Sequence, residues 1–160
     1  TKKTNWTPLF NISVTLMNDV QITLTDNVST TVMQSFTGTQ ARTESSNSNI
    51  QLRIQYSFSA PGGFAIPLPL LDRLRISFQS DLTTSLSVNR TKTRSELFGS
   101  AVGAQLQTDR EEWRIEPALN YDFGTVTAGL TGIFGWKTDR VNSQYNQRDV
   151  GMNIWVTINF

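Results

Sequence analysis

The feature that most limits what this chain can become is a period-two alternation of apolar and polar residues that recurs along most of its length. Val150, Met152, Ile154, Val156, Ile158 and Phe160 alternate with Gly151, Asn153, Trp155, Thr157 and Asn159, and a two-residue period puts such sets on opposite faces of a β-strand. Trp113, Ile115, Pro117, Leu119, Tyr121 and Phe123 alternate in the same way with Arg114, Glu116, Ala118, Asn120 and Asp122. Val126, Ala128, Leu130, Gly132, Phe134 and Trp136 share a face of the next run, which a tight turn at Asp122-Phe123-Gly124-Thr125 joins to its predecessor as a hairpin. Upstream, Leu74 to Val88 and Ile50 to Phe58 repeat the pattern, Val20 to Phe36 carries it past an awkward Asp26, and Phe10 to Leu16 opens it.

These runs predict an all-β chain of seven antiparallel strands at 6–17, 20–43, 48–60, 72–94, 111–123, 125–140 and 148–160, with 95–110 able to hide an eighth. Connections alternate between short (Met17 to Val20, Asp122 to Thr125) and longer polar ones (Glu44 to Asn49, Val141 to Arg148), the asymmetry of membrane barrels. The Pro- and Gly-rich stretch from Ala60 to Asp72 breaks that rule. The whole of 1–160 reads as one unit, a barrel or a segment of a larger one.

A soluble β-sandwich also alternates, with its apolar face turned inward. Two observations favour a transmembrane barrel. The polar faces are built mainly of Ser, Thr, Asn, Gln and Arg, whereas a sandwich would carry more Lys and Glu on its outer face. Aromatic residues also fall where the rims of a hydrocarbon band would lie: Trp113, Tyr121, Phe123, Phe134, Trp136 and Phe160 are the expected interface residues. Phe160, last on its apolar face, has the form of the terminal signal of outer-membrane barrels. Pro117 weighs mildly against, since proline removes a ladder hydrogen bond.

Mean hydropathy is −0.29, which suits a barrel that averages an apolar and a polar face. No apolar run reaches the ~18 residues of a membrane helix. The N-terminus, without Met or an apolar signal core, reads as that of a processed product. Lys and Arg number 14 against 13 Asp and Glu, so charge gives no argument for nucleic acid. There is no Cys and no His, which removes thiol nucleophiles, imidazole bases and the usual zinc ligands. No catalytic residue, cofactor or metal is expected.

Arg53, Arg73, Arg75, Asp81, Arg114, Glu116 and Asp122 fall on the polar faces. They line a passage or, more ordinarily, form an ion-pair network that fills the interior. Asp109-Arg110-Glu111-Glu112 reads as a solvated loop rather than a cation site, and Phe64 to Leu71 as an interfacial foot or a plain connection.

Ile66-Pro67-Leu68-Pro69-Leu70-Leu71-Asp72-Arg73-Leu74-Arg75, leading into Ile76 to Arg90, resembles the C-terminal barrel region of the SprA family. The closing pattern of Trp113-Arg114-Ile115-Glu116-Pro117 and Tyr121-Asp122-Phe123 before two more strands resembles it too. That family comprises gliding-motility proteins and the outer-membrane translocon of type IX secretion. The resemblance covers about the last 110 residues and implies a piece of a wide protein-conducting barrel in the bacterial outer membrane. Its expected partners are lipid and other barrel segments or subunits. Family members are enormous chains, so a segment of a larger barrel is the leading expectation. A small self-contained barrel acting as anchor, adhesin or subunit is the alternative, and a soluble β-rich surface or filament protein the second.

Overall fold

The computed structural model describes residues 1–16, 19–35, 41–60, 64–65, 75–76, 80–99, 103–122 and 124–158. Its strands are β1 (Lys2–Leu16), β2 (Val20–Ser35), β3 (Ala41–Ala60), β4 (Phe64–Ala65), β5 (Arg75–Ile76), β6 (Ser80–Gly99), β7 (Gln105–Asp122), β8 (Val126–Asp139) and β9 (Gln147–Ile158). Seven of them form one sheet in the order β1-β2-β3-β6-β7-β8-β9, each antiparallel to its neighbours. The two-residue β4 and β5 pair with each other inside the β3–β6 connection. A 3-10 turn at Ser143–Tyr145 sits in the β8–β9 connection, capped by the Asn142 side chain, which accepts from the Gln144 N–H at 3.2 Å.

Register turns the alternation of each strand into rows that cross the sheet. Ile12, Leu24, Leu52, Val88, Ile115, Phe134 and Val150 are successive cross-strand partners, one from each strand. Leu16, Val20, Tyr56, Thr84, Leu119, Leu130 and Ile154 form a second such row. A one-residue slip anywhere would move a strand's apolar set to the wrong side, so the hydrophobic pattern pins the register. One face of the sheet is thereby a continuous apolar band. The row Phe10, Asp26, Ile50, Arg90, Trp113, Trp136 and Arg148 bounds it on one side. Asp26, awkward in sequence, belongs to this charged edge.

Beyond that row β2, β3 and β6 continue for nine residues each, to Ser35, Ala41 and Gly99, whereas β8 runs only to Asp139 and β9 starts at Gln147. The longer strands form a polar collar about 30 Å long measured along the strands. The collar overturns two expectations. Glu44 to Asn49 is strand, not a connection: Ser45 and Ser46 pair with Thr31 and Thr30 on one side and with Ser95 and Arg94 on the other. Residues 95–99 and 105–110 are the upper ends of β6 and β7, so the described part of 95–110 holds no further strand. The expected bounds 20–43, 48–60, 72–94 and 111–123 move accordingly. Hydroxyl and amide side chains hydrogen-bond laterally here, Asn49 Nδ2 to Thr91 Oγ1 at 2.9 Å and Ser45 to Ser95 at 3.2 Å, so pairing persists without hydrophobic periodicity.

The two described prolines sit where the ladder is interrupted. Pro8 lies in the register shift between Trp6 and Phe10 of β1. Around Pro117 the β7–β8 pairing breaks between Ile115 with Phe134 and Ala118 with Thr131, where proline has no N–H to give. Gly132 leaves room for its ring, since a Cβ there would lie 3.1 Å from Pro117 Cγ.

Among the described residues only Asp109, Gly129 and Asp139 are buried. None of the described residues forms a layer over the apolar face: Val150 is 80% and Ile154 65% exposed, and on the opposite edge Trp6 is 57% exposed. The chain exposes 11591 Å², against about 8,000 Å² for a folded monomer of this mass. β1 and β9 are not paired with each other, so the sheet is open at both edges.

Candidate functional site

The polar face carries the expected polar residues in separate places. Arg53 lies between Thr23 and Ser87 in register and lines a shallow hollow of 270 Å³ with Gln21, Gln51 and Gln55. Among the described residues it has no ion pair. Arg114 instead reaches Glu116, two residues along its own strand, at 2.8 Å. Asp81 stands directly opposite Asp122, and Asp122 Oδ1 accepts the Gly124 N–H at 2.7 Å. That bond fixes the β7–β8 turn, where Gly124 takes the positive φ of 87° that disfavours other residues. Arg73 lies outside the described residues, and of Arg75 only the strand backbone lies within them.

An aromatic residue also enters the polar face. Trp155 spreads over Gly129, its cross-strand partner, so closely that a Cβ on Gly129 would fall 2.3 Å from Trp155 Cε2. The sequence marks neither residue, because their contact depends on register.

The aromatics of the apolar face mark two levels. Trp113 and Trp136 are cross-strand partners whose rings stack at 5.9 Å with 14° between planes. Tyr121 stands eight residues along β7, between Leu82 and Ala128. Phe134 is exposed one row inside Trp136. Phe123 and Phe160 lie outside the described residues, as does Ile66 to Leu71 of the expected foot.

Charge collects at the tryptophan level. Arg90 places its guanidinium 5.5 Å from the Trp113 ring and donates to Glu111 Oε1 at 2.8 Å, which also accepts from Trp113 Nε1 at 3.0 Å. Arg110 donates to Asp139 Oδ2 at 2.7 Å, while Asp139 Oδ1 accepts from the N–H groups of Val141 and Asn142 at 2.9 and 3.0 Å. The Arg110 hydrogen bond, helped by the Asn142 and Val141 N–H groups, holds the Asp139 carboxyl below its ordinary pKa against the opposing effect of burial. Tyr145 lies under the Arg110 guanidinium at 5.1 Å, and Arg140 N–H donates to the Asp109 carbonyl at 2.9 Å.

Asp109 to Glu112 is therefore ordered strand, not the loop expected, because Arg90, Arg110, Lys137 and Arg140 from neighbouring positions meet its carboxylates and those of Asp139. An exposed pair such as Lys137 with Glu112 contributes little singly, about 0–1 kcal/mol, whereas Asp109 and Asp139 are buried beside their partners. They fix the β8–β9 connection rather than form a reactive centre. Among the described residues no group of acidic side chains is placed to hold a metal ion. The arrangement sets an apolar face against a polar one, with the charged groups gathered at the tryptophan level.

Comparison of the chain with protein-family models, with curated proteins and with solved structures yields no match.

Proposed function

We propose that this chain is a wall section of a large outer-membrane β-barrel that encloses a polar passage for protein export or surface assembly. One observation carries the reading: a single-layer sheet whose apolar face is in register across all seven strands and has no second layer over it among the described residues. Two-layer architectures exist because such a face must be buried, and lipid is the cover that a second protein layer would otherwise supply. The dimensions fit. Val126 to Trp136 on β8 covers ten residue steps, about 33 Å along the strand and about 25 Å at a tilt of about 40°, the height of a hydrocarbon band.

Seven strands make β1 and β9 run in the same direction. Two copies standing the same way up would therefore meet in a parallel seam, and an all-antiparallel closure needs an odd number of further strands between β9 and β1. Strand edges inside a bilayer must be paired. Those strands come from elsewhere in a longer polypeptide or from a partner subunit, as the resemblance to the SprA family implies. An aqueous passage needs roughly sixteen strands or more, so this section supplies less than half of the wall. Residues 95–99 and 105–110 belong to β6 and β7, so the described part of 95–110 gives the small self-contained barrel no support for an eighth strand.

Extraction from native membranes in mild detergent, followed by native electrophoresis with mass spectrometry, tests the reading. Co-migration with other barrel segments at high mass is expected. A lone detergent-bound species of 18.0 kDa would support the small barrel instead, and a particle stable without detergent would refute both.

A further inference from the structure

The apolar face is not uniform along β8 and β9. A hollow of 510 Å³ lies over Gly132, walled by Pro117, Leu119, Leu130, Phe134 and Met152. A second, of 730 Å³, is lined by Trp136, Thr138, Asn146 and Arg148. The two share Phe134 and Val150, which are cross-strand partners one row inside Trp136 and Arg148. The lower hollow is apolar because Gly132 contributes no side chain and Pro117 only a ring; the upper one mixes apolar with polar surface and is bordered by Lys137, which pairs with Glu112, by Arg148 and by Asp149.

Charge on this face is concentrated at one end. Arg90 and Arg148 lie in the tryptophan row, with Lys92 and Arg94 beyond it. At the other end the described outward residues Phe58, Leu82, Tyr121, Ala128, Val156 and Ile158 carry no charge. Arg90 and Arg94 are neutralised by Glu111 and Glu96. Lys92 and Arg148 take no ion pair among the described residues, and of the two it is Arg148 that borders the upper hollow.

We infer that the joined hollows bind one phosphate-bearing membrane lipid, its acyl chain over Gly132 and Pro117 and its phosphate on Arg148. The inference rests on the membrane reading above and adds a ligand to it. An amphiphile matches an apolar compartment continuous with a cationic one, and a tryptophan beside an arginine at the join suits the headgroup level of a bilayer. Guanidinium is the side chain best shaped to hold phosphate oxygens in two hydrogen bonds.

The test uses the complex extracted in mild detergent and then given a diphosphoryl glycolipid or its dephosphorylated counterpart, with retained lipid read by native mass spectrometry. The phosphorylated lipid is expected to be retained preferentially. Arg148→Ala should lower its retention about tenfold, the scale of one charge-assisted contact, and leave the dephosphorylated lipid unchanged. Gly132→Leu, which fills the apolar hollow, should lower both. Lys2→Ala, a distant cation, should change neither. Equal retention of the two lipids, or indifference to Arg148→Ala in a complex that still needs detergent, overturns the lipid site and leaves the barrel standing. A chain recovered without detergent overturns both.

Discussion

Ile54 and Gln55 are neighbours in β3 that face opposite ways, and arginine placed at each in turn separates a lipid-covered face from a water-covered one. Ile54 stands in the row of Val14, Ile22, Leu86 and Pro117, with no carboxylate in that row. It lies four residues from the charged row at Ile50 and four from Phe58 near the far side, about 10 Å from either edge at a tilt of about 40°. A cation at such mid-depth is destabilising by about 2–4 kcal/mol in a membrane barrel, roughly thirty- to several-hundred-fold in the folding equilibrium. Gln55 lies among the hydroxyls and amides of the polar face, where arginine is expected to be nearly neutral. The assay is denaturant titration of the protein in phospholipid vesicles, read by tryptophan fluorescence, beside the yield of membrane-integrated chain. Ile54→Arg should lose most of its integrated yield while Gln55→Arg keeps it. Equal tolerance of the two would refute the reasoning, since in water an arginine on an uncovered face costs little.

Gly129→Ala forces Trp155 to move and is expected to destabilise by about 1–3 kcal/mol, the range for overpacking; combined with Trp155→Ala the loss should be less than additive, as a double-mutant cycle in thermal denaturation will read. Trp113→Ala and Trp136→Ala should show a coupling of about 0.5–1.5 kcal/mol from the lost stack. Asp139 has a folded pKa below its unfolded value, so its stabilisation is complete above the ordinary carboxylate range and is lost as pH falls through the lowered value. Protection of the Val141 and Asn142 amides, measured against the intrinsic exchange rate at each pH, should therefore fall on acidification, and Asp139→Asn should abolish that pH dependence.

The sequence makes strands legible where one face is apolar. β9, β8 and the lower half of β7 follow from alternation alone, and their cross-strand order follows from short connections. It hides strands where both faces are polar. Glu44 to Asn49 contains no apolar residue, and it is held in the sheet by pairing with β2 and with β6, far off in sequence, while 95–99 and 105–110 are strand ends whose place is set by pairing with neighbouring strands. The charged rim was hidden for the same reason: Arg90 and Glu111 are 21 residues apart in the chain and meet only once β6 and β7 are in register. Arg53, Arg114, Glu116, Asp81 and Asp122 do share the face that alternation assigns them, yet their pairing is set by register, which couples Arg114 to its own strand and leaves Arg53 among amides.

The unequal strand ends beyond the tryptophan row give the sheet a stepped upper edge, tall over β2, β3 and β6 and cut down at β8 and β9. A fence of this shape has a low side. The edge at β9 stands about 25 Å lower, measured along the strands, than the edge over β6, so whatever adjoins β9 meets the sheet along its lower part alone.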